Sequence, residues 1–174
     1  MLPSVSSLDN QILSLPPTEF SVDGATNFVN VIAAYMDQVQ GGADGTPGIF
    51  TYFKPPVIAA IQILPPVSDD SWINNFANAI HLGTTGATFV PGTITNVAWT
   101  ASLTDIGPVS ITSLNTALST LKSGLSLATS KNNPAQPMAQ AIHDYAMAFI
   151  FQTTGLVLAL PGPPVPLTLT FNAQ

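Results

Sequence analysis

The chain has 174 residues, of which 46% are hydrophobic and only 7% are charged, against roughly 25% charged in ordinary soluble domains. Its formal net charge is −6, with Lys54, Lys122 and Lys131 as the basic residues and no arginine, which argues against binding nucleic acid or an anionic membrane surface. It has no cysteine, so disulfides, thiolate chemistry and cysteine-ligated zinc are excluded.

In chain order, residues 1–22 are rich in Ser, Pro and Leu and include Leu15-Pro-Pro17, which predicts an extended N-terminal arm. A single globular domain is expected over 23–174. Asp23-Gly-Ala-Thr26 opens a helix whose apolar stripe is Phe28, Val31, Ile32 and Tyr35, and Gly41-Gly42 stops it. Ile49-Phe-Thr-Tyr-Phe53 reads as a short strand. The run from Val57 to Leu64, bounded by Pro55-Pro56 and Pro65-Pro66, fits a buried strand and a short helix equally well. Ser68-Asp69-Asp70-Ser71 caps a second long helix carrying Ile73, Phe76, Ala77 and Ile80. Strands are expected near 87–90 and 94–101.

Ser110 caps a third helix, with Ile111, Leu114, Leu118, Leu121 and Leu125 on its face and Gly124 weakening its last turn. Pro134 and Pro137 sit at the start of a fourth, which is expected to run to about residue 152. Its segment from Tyr145 to Phe151 is apolar all round, which predicts that a second molecule covers part of it. Leu156-Val-Leu-Ala-Leu160 reads as a buried strand. Val165, Leu167, Leu169 and Phe171 alternate with polar residues or Pro166, the pattern of a half-buried strand at a sheet edge. The expected class is α+β: about four helices packed with short antiparallel strands.

The two histidines lie in near-copies, Phe76-Ala-Asn-Ala-Ile-His81 and Met138-Ala-Gln-Ala-Ile-His143. Each is followed by Thr-Thr-Gly (84–86 and 153–155) and then Pro-Gly (91–92 and 161–162), with 7 extra residues in the second copy between His and Thr-Thr-Gly. This reads as internal duplication of a helix-turn-strand unit at about 68–101 and 134–171, with Phe28-Val-Asn-Val-Ile32 as a degenerate third copy.

Chemistry-bearing patterns are sparse. A metal site needs three or four ligands, and the candidates are His81, His143 and Asp144 with Asp69 or Asp70, without a metal-binding spacing. A Ser-His-acid triad lacks the Gly-x-Ser-x-Gly elbow. Adjacent Asp69 and Asp70 point apart on a helix and suit the cap better than acid-base work. No catalytic, cofactor-binding or metal-ligating residue is assigned. Each histidine is expected to be a structural polar point that donates to a nearby carbonyl.

Ala141-Ile-His-Asp144, then Thr153-Thr-Gly155 and a Pro-, Gly- and Thr-rich end resemble small virion structural proteins of tailed bacteriophages, mainly over 134–174 with an echo at 72–92. The strand-like Leu-Thr-Leu-Thr-Phe171 departs from the Gly-rich C-terminus of that group. The resemblance implies a non-enzymatic tail, neck or capsid-associated component located in the virion. It would assemble with itself and with other virion proteins, without nucleic acid, membrane or cofactor. Low charge points the same way, because obligate interfaces are poor in charge. The expected assembly interface is Tyr145, Phe149, Phe151, Val165, Leu167, Leu169 and Phe171. The alternative is a secreted or cell-surface binding module for an apolar ligand, with a pocket at Phe149 and Phe151.

Overall fold

A computed structural model describes residues 3–15, 22–39, 49–64, 70–90, 93–96, 99–107, 111–129, 135–157 and 165–172. Side chains are described within 3–15, 22–39, 49–64, 71–88, 117–126 and 135–149. Six helices appear among them: α1 (Val5–Leu13), α2 (Val22–Met36), α3 (Lys54–Gln62), α4 (Asp70–Thr85), α5 (Ile111–Thr129) and α6 (Ala135–Met147). The strands are β1 (Ile49–Thr51), β2 (Thr88–Val90), β3 (Thr93–Asn96), β4 (Trp99–Gly107), β5 (Ile150–Val157) and β6 (Val165–Asn172).

The expected α+β class, with about four helices packed with antiparallel strands, is corrected by this arrangement. Of the residues with described side chains, 79% are helical, and one short strand, β1, joins them. The core is built by helix on helix. Its buried residues come from all six helices and from the segments at their ends, with Phe50 of β1 added.

One helix is new relative to the sequence reading, and another settles a run that it left open. The extended arm is replaced over 5–13 by α1. Val5, Leu8 and Ile12 recur at helical spacing, and Ser4 caps the helix by accepting the Ser7 N–H at 3.3 Å. Leu8 is 0% exposed, a burial worth about 1.5–3 kcal/mol. That is enough to dock a helix which, at nine residues, would be marginal alone. It packs on α6 and α2. Helix α3 resolves the ambiguous run. Pro55 and Pro56 stand in its first turn, where a missing N–H removes no intrahelical bond, and Val57 and Ile61 are buried at i, i+4.

Helix α5 buries Ala117, Leu121 and Leu125. Gly124 belongs to the packing and leaves the last turn intact: a Cβ there would stand 2.5 Å from the Cβ of Ala141, so the glycine lets α5 and α6 approach closely. Helix α6 ends at Met147 rather than near 152, and the chain turns through Ala148 and Phe149 into β5. The stretch that looked like an all-apolar helix is therefore a helix end, a turn and a strand. Tyr145 and Phe149, both 0% exposed, are buried by the chain's own core.

The strands form two antiparallel sheets. β1 pairs with β2, register Phe50↔Phe89, and Phe50 packs on Phe149 with centroids 5.9 Å apart. The other sheet runs β3-β4-β5-β6. Its register shifts at Leu103/Asp105, a bulge that returns Ile106 to the face that Leu103 occupies. By register that face also carries Ile94, Trp99 and Ala101 of the β3-β4 hairpin.

Candidate functional site

The polar points of the helical core include the two histidines, the chain's three tyrosines and the buried Thr84. Each histidine lies four residues before the end of its helix, His81 in α4 and His143 in α6. The flanking positions match in burial: Ala77 and Ala139 are 0% exposed, and so are Ile80 and Ile142. Each helix is followed by a strand starting seven residues past the histidine, β2 at Thr88 and β5 at Ile150. The equivalence is thus gap-free over 76–90 and 138–152. The Thr-Thr-Gly signal does not take part, since 84–86 close α4 whereas 153–155 lie inside β5. The Pro-Gly pairs at 91–92 and 161–162 lie outside the described residues.

The histidine contacts repeat as well. His81 Nδ1 lies 2.9 Å from the hydroxyl of Tyr145, with the rings edge-on at 69° and centroids 6.1 Å apart. His143 Nδ1 bonds the hydroxyl of Tyr35, at 61° and 6.3 Å. Tyr35 of α2 and Tyr145 of α6 are themselves equivalent, each three residues past a fully buried isoleucine, Ile32 and Ile142. A histidine on α4 therefore clasps a tyrosine on α6, and a histidine on α6 clasps a tyrosine on α2.

The Tyr35 hydroxyl donates its single proton to the carbonyl of Pro3 at 3.2 Å, ahead of α1, and a carbonyl can only accept. While that bond is made, the hydrogen between Tyr35 and His143 comes from Nδ1. The Tyr145 hydroxyl bonds both Thr84 Oγ1 at 2.7 Å and His81 Nδ1 at 2.9 Å, and the Thr84 hydroxyl can act there as donor or acceptor. The expected carbonyl partner is thus replaced by a tyrosine oxygen. A tyrosine on a buried stripe brings a hydroxyl that needs a partner, and that signal marks Tyr35 and Tyr145 as the missing half of the arrangement.

Tyr52, just past β1, completes the set. Its hydroxyl donates to the carbonyl of Ile80 at 2.5 Å, and its N–H donates to Asp37 Oδ1 at 2.7 Å. Its ring covers Gly83, where a Cβ would fall within the ring, and the neighbouring Phe53 N–H donates to the Gly83 carbonyl at 3.0 Å. Tyr52 and Tyr145 are 3% and 0% exposed, and burial raises both hydroxyls above the usual tyrosine range. Tyr35 is pushed up to about 12 by burial and then by the negative charge of Asp144. All three are neutral donors at physiological pH. His81 is lowered, by burial first and then by Lys122.

The two histidines are not brought together on a shared ligand. Asp144 accepts from Gln140 Nε2 at 2.8 Å on the exposed side of α6. Among the described residues no group of three or more His, Cys, Asp or Glu side chains converges, and no helix is long and apolar enough to cross a membrane. Asp69 and the side chain of Asp70 lie outside the described residues. Of the expected interface, Tyr145 and Phe149 are corrected to core positions, because the turn after α6 folds them inward. The side chains of Phe151, Val165, Leu167, Leu169 and Phe171 lie outside the described ones, and only their register positions in β5 and β6 are known.

The groove nearest these residues runs between α3 and α4, with a volume of about 520 Å³, and Ile63, Leu64, Asn75, Asn78, His81 and Leu82 line it. Ile63 is 82% exposed and Leu82 44%, so its rim is apolar and open. Compared with known proteins, the chain matches no protein-family model, and neither the curated proteins nor the solved structures contain a match to it.

Proposed function

We propose that this chain is a non-enzymatic structural subunit of a tailed-bacteriophage particle, acting by self-association and by contacts with other virion proteins. The observation that carries this reading is the pair of equivalent His–Tyr clasps, 2.9 Å long at His81–Tyr145 and repeated at His143–Tyr35. In them each histidine links its helix to another, at equivalent places in two similar units, which supports a packing role. A charge content of 7% and the virion-protein resemblance of 134–174 support the assembly part of the reading.

The test is quantitative mass spectrometry of purified particles from the phage that encodes the chain. The expected result is a fixed copy number matching a ring of six or twelve, a tail-length count or a capsid count. Absence of the chain from infectious particles overturns the reading. The groove between α3 and α4 favours one competitor, a binding module for an apolar ligand, now placed at Ile63 and Leu82 because Phe149 is fully buried. Saturable binding of a hydrophobic fluorescent probe by the monomer, lost in Ile63→Asp, would establish that competitor.

A further inference from the structure

The four-stranded sheet is two-faced. By register, Phe151 and Val157 of β5 share a face with Val165, Leu167, Leu169 and Phe171 of β6. The bulge in β4 keeps this face continuous across to the apolar positions of the β3-β4 hairpin. The opposite face is mostly polar, with Thr154, Thr168, Thr170 and Asp105, the one charged residue in the four strands, and with Ile150, Leu156 and Pro166 as apolar positions. An antiparallel sheet with one apolar face needs a layer to bury it. Among the described elements, β3, β4, β5 and β6 lie closest to one another and the helices closest to helices.

We infer that the apolar face of the β3-β4-β5-β6 sheet packs against the same face of a second copy of this chain. This rests on the reading of the chain as a self-assembling subunit and names the surface it uses. Size supports the occupant. The strands have 4, 9, 8 and 8 residues. At about 3.3 Å per residue and about 4.8 Å between strands, the footprint is roughly 400 Å² per copy. Side chains on a sheet expose more area than the footprint, so two faces together bury about 1,000 Å², the threshold for a specific interface. Charge supports it too, because Asp105 falls on the other face and stacking two copies opposes no like charges. The edges are poor alternatives: β3 is four residues long and β6 carries Pro166, both features of edges that resist strand addition.

The experiment compares two double variants on one strand. Leu167→Asp/Leu169→Asp charges the apolar face, and Thr168→Asp/Thr170→Asp charges the other. Sedimentation velocity across a hundredfold dilution gives the oligomeric state, and far-ultraviolet circular dichroism gives the helix content. The expected result is an oligomeric wild type, an oligomeric Thr-face variant and a Leu-face variant that is monomeric with its helix content unchanged. The milder Leu167→Ala/Leu169→Ala should stay folded and weaken association at least tenfold. If the wild type is oligomeric and neither face alters it, or both alter it alike, the surface is wrong while the subunit reading stands. If the Leu-face variants lose helix, the face belongs to the chain's own core and the inference is overturned. A wild type that is monomeric throughout defeats the inference and the subunit reading together.

Discussion

The units 76–90 and 138–152 share a helix end, a histidine four residues before it and a strand start, yet one has Gly83 where the other has Tyr145. In the second unit the helix supplies its own buried ring, which packs edge-on against Phe149 at 4.9 Å and bonds His81 Nδ1 through its hydroxyl. In the first unit the place is vacated, and the ring of Tyr52 comes in over Gly83 from the end of β1. The repeated pattern sets the backbone, and one position decides whether the aromatic is local or borrowed. Borrowing connects α4 to β1, whereas supplying connects α6 to α4.

The largest effect should come from deleting the supplied ring. Tyr145→Ala removes a fully buried side chain and leaves a cavity, for an expected loss of about 3–5 kcal/mol by denaturant titration. Tyr145→Phe keeps the ring but strands His81 Nδ1 and Thr84, for about 1–3 kcal/mol. Equal losses for the two variants would mean that the hydroxyl, not the ring, carries the second unit.

Next in size is the alkaline limb of stability. Tyr35 ionises near 12 in the folded chain and near 10 when unfolded, so above pH 10 the unfolded state releases its proton first. Its contribution is intact below pH 10 and should fall by about 2–3 kcal/mol as pH rises to 12. Denaturation midpoints between pH 8 and 12 measure this, and Tyr35→Phe should flatten the slope. Buried Tyr52 and Tyr145 add in the same direction, so one substitution flattens it only in part.

Gly83→Ala tests the borrowed ring. The new Cβ collides with Tyr52, for about 1–3 kcal/mol, and the cost should shrink in a Tyr52→Leu background. An undiminished cost would place the strain in the helix instead of at the ring.

What the sequence disclosed follows from what periodicity can carry. The stripes of α2, α4 and α5 were readable because apolar residues such as Phe28, Val31, Ile32 and Tyr35 recur at helical spacing over about two turns or more. Helix α1 was masked by the prolines and serines around it, though Val5, Leu8 and Ile12 hold its spacing. Helix α3 is too short for periodicity to arbitrate, and only the two prolines at its start favour a helix. The end of α6 was unreadable because the core surrounds Tyr145 and Phe149 on all sides, leaving no polar residue to mark the turn. Of the site, the histidine repeat was legible and its partners were not. Pairing residues 108 and 64 positions apart requires knowing which helices lie together.

Smaller still is the equivalence of the two clasps. Double-mutant cycles with His→Asn and Tyr→Phe should give coupling energies of about 0.5–1.5 kcal/mol for His81–Tyr145 and for His143–Tyr35. Similar values support a repeated packing unit. A large value at one pair and none at the other would make the resemblance a matter of sequence alone.

The last effect lies on the acid side and singles out one histidine. Burial, and then Lys122, lower the His81 pKa from its ordinary 6.5. The folded chain thus resists a proton that the unfolded chain accepts, and stability should decline as pH falls below about 6.5, levelling off once the folded ring is itself protonated. Both nitrogens of the protonated ring are donors and the Tyr145 hydroxyl can accept from Nδ1, so the clasp survives the titration. The decline therefore reflects a charge placed beside Lys122 and apolar neighbours, with the His81–Tyr145 bond kept. His81→Gln should remove it, and Lys122→Gln should reduce it by the smaller part, as stability measured from pH 7.5 to 5 will show. If Lys122→Gln removes it entirely, the neighbouring charge outweighs burial and the order of causes is reversed.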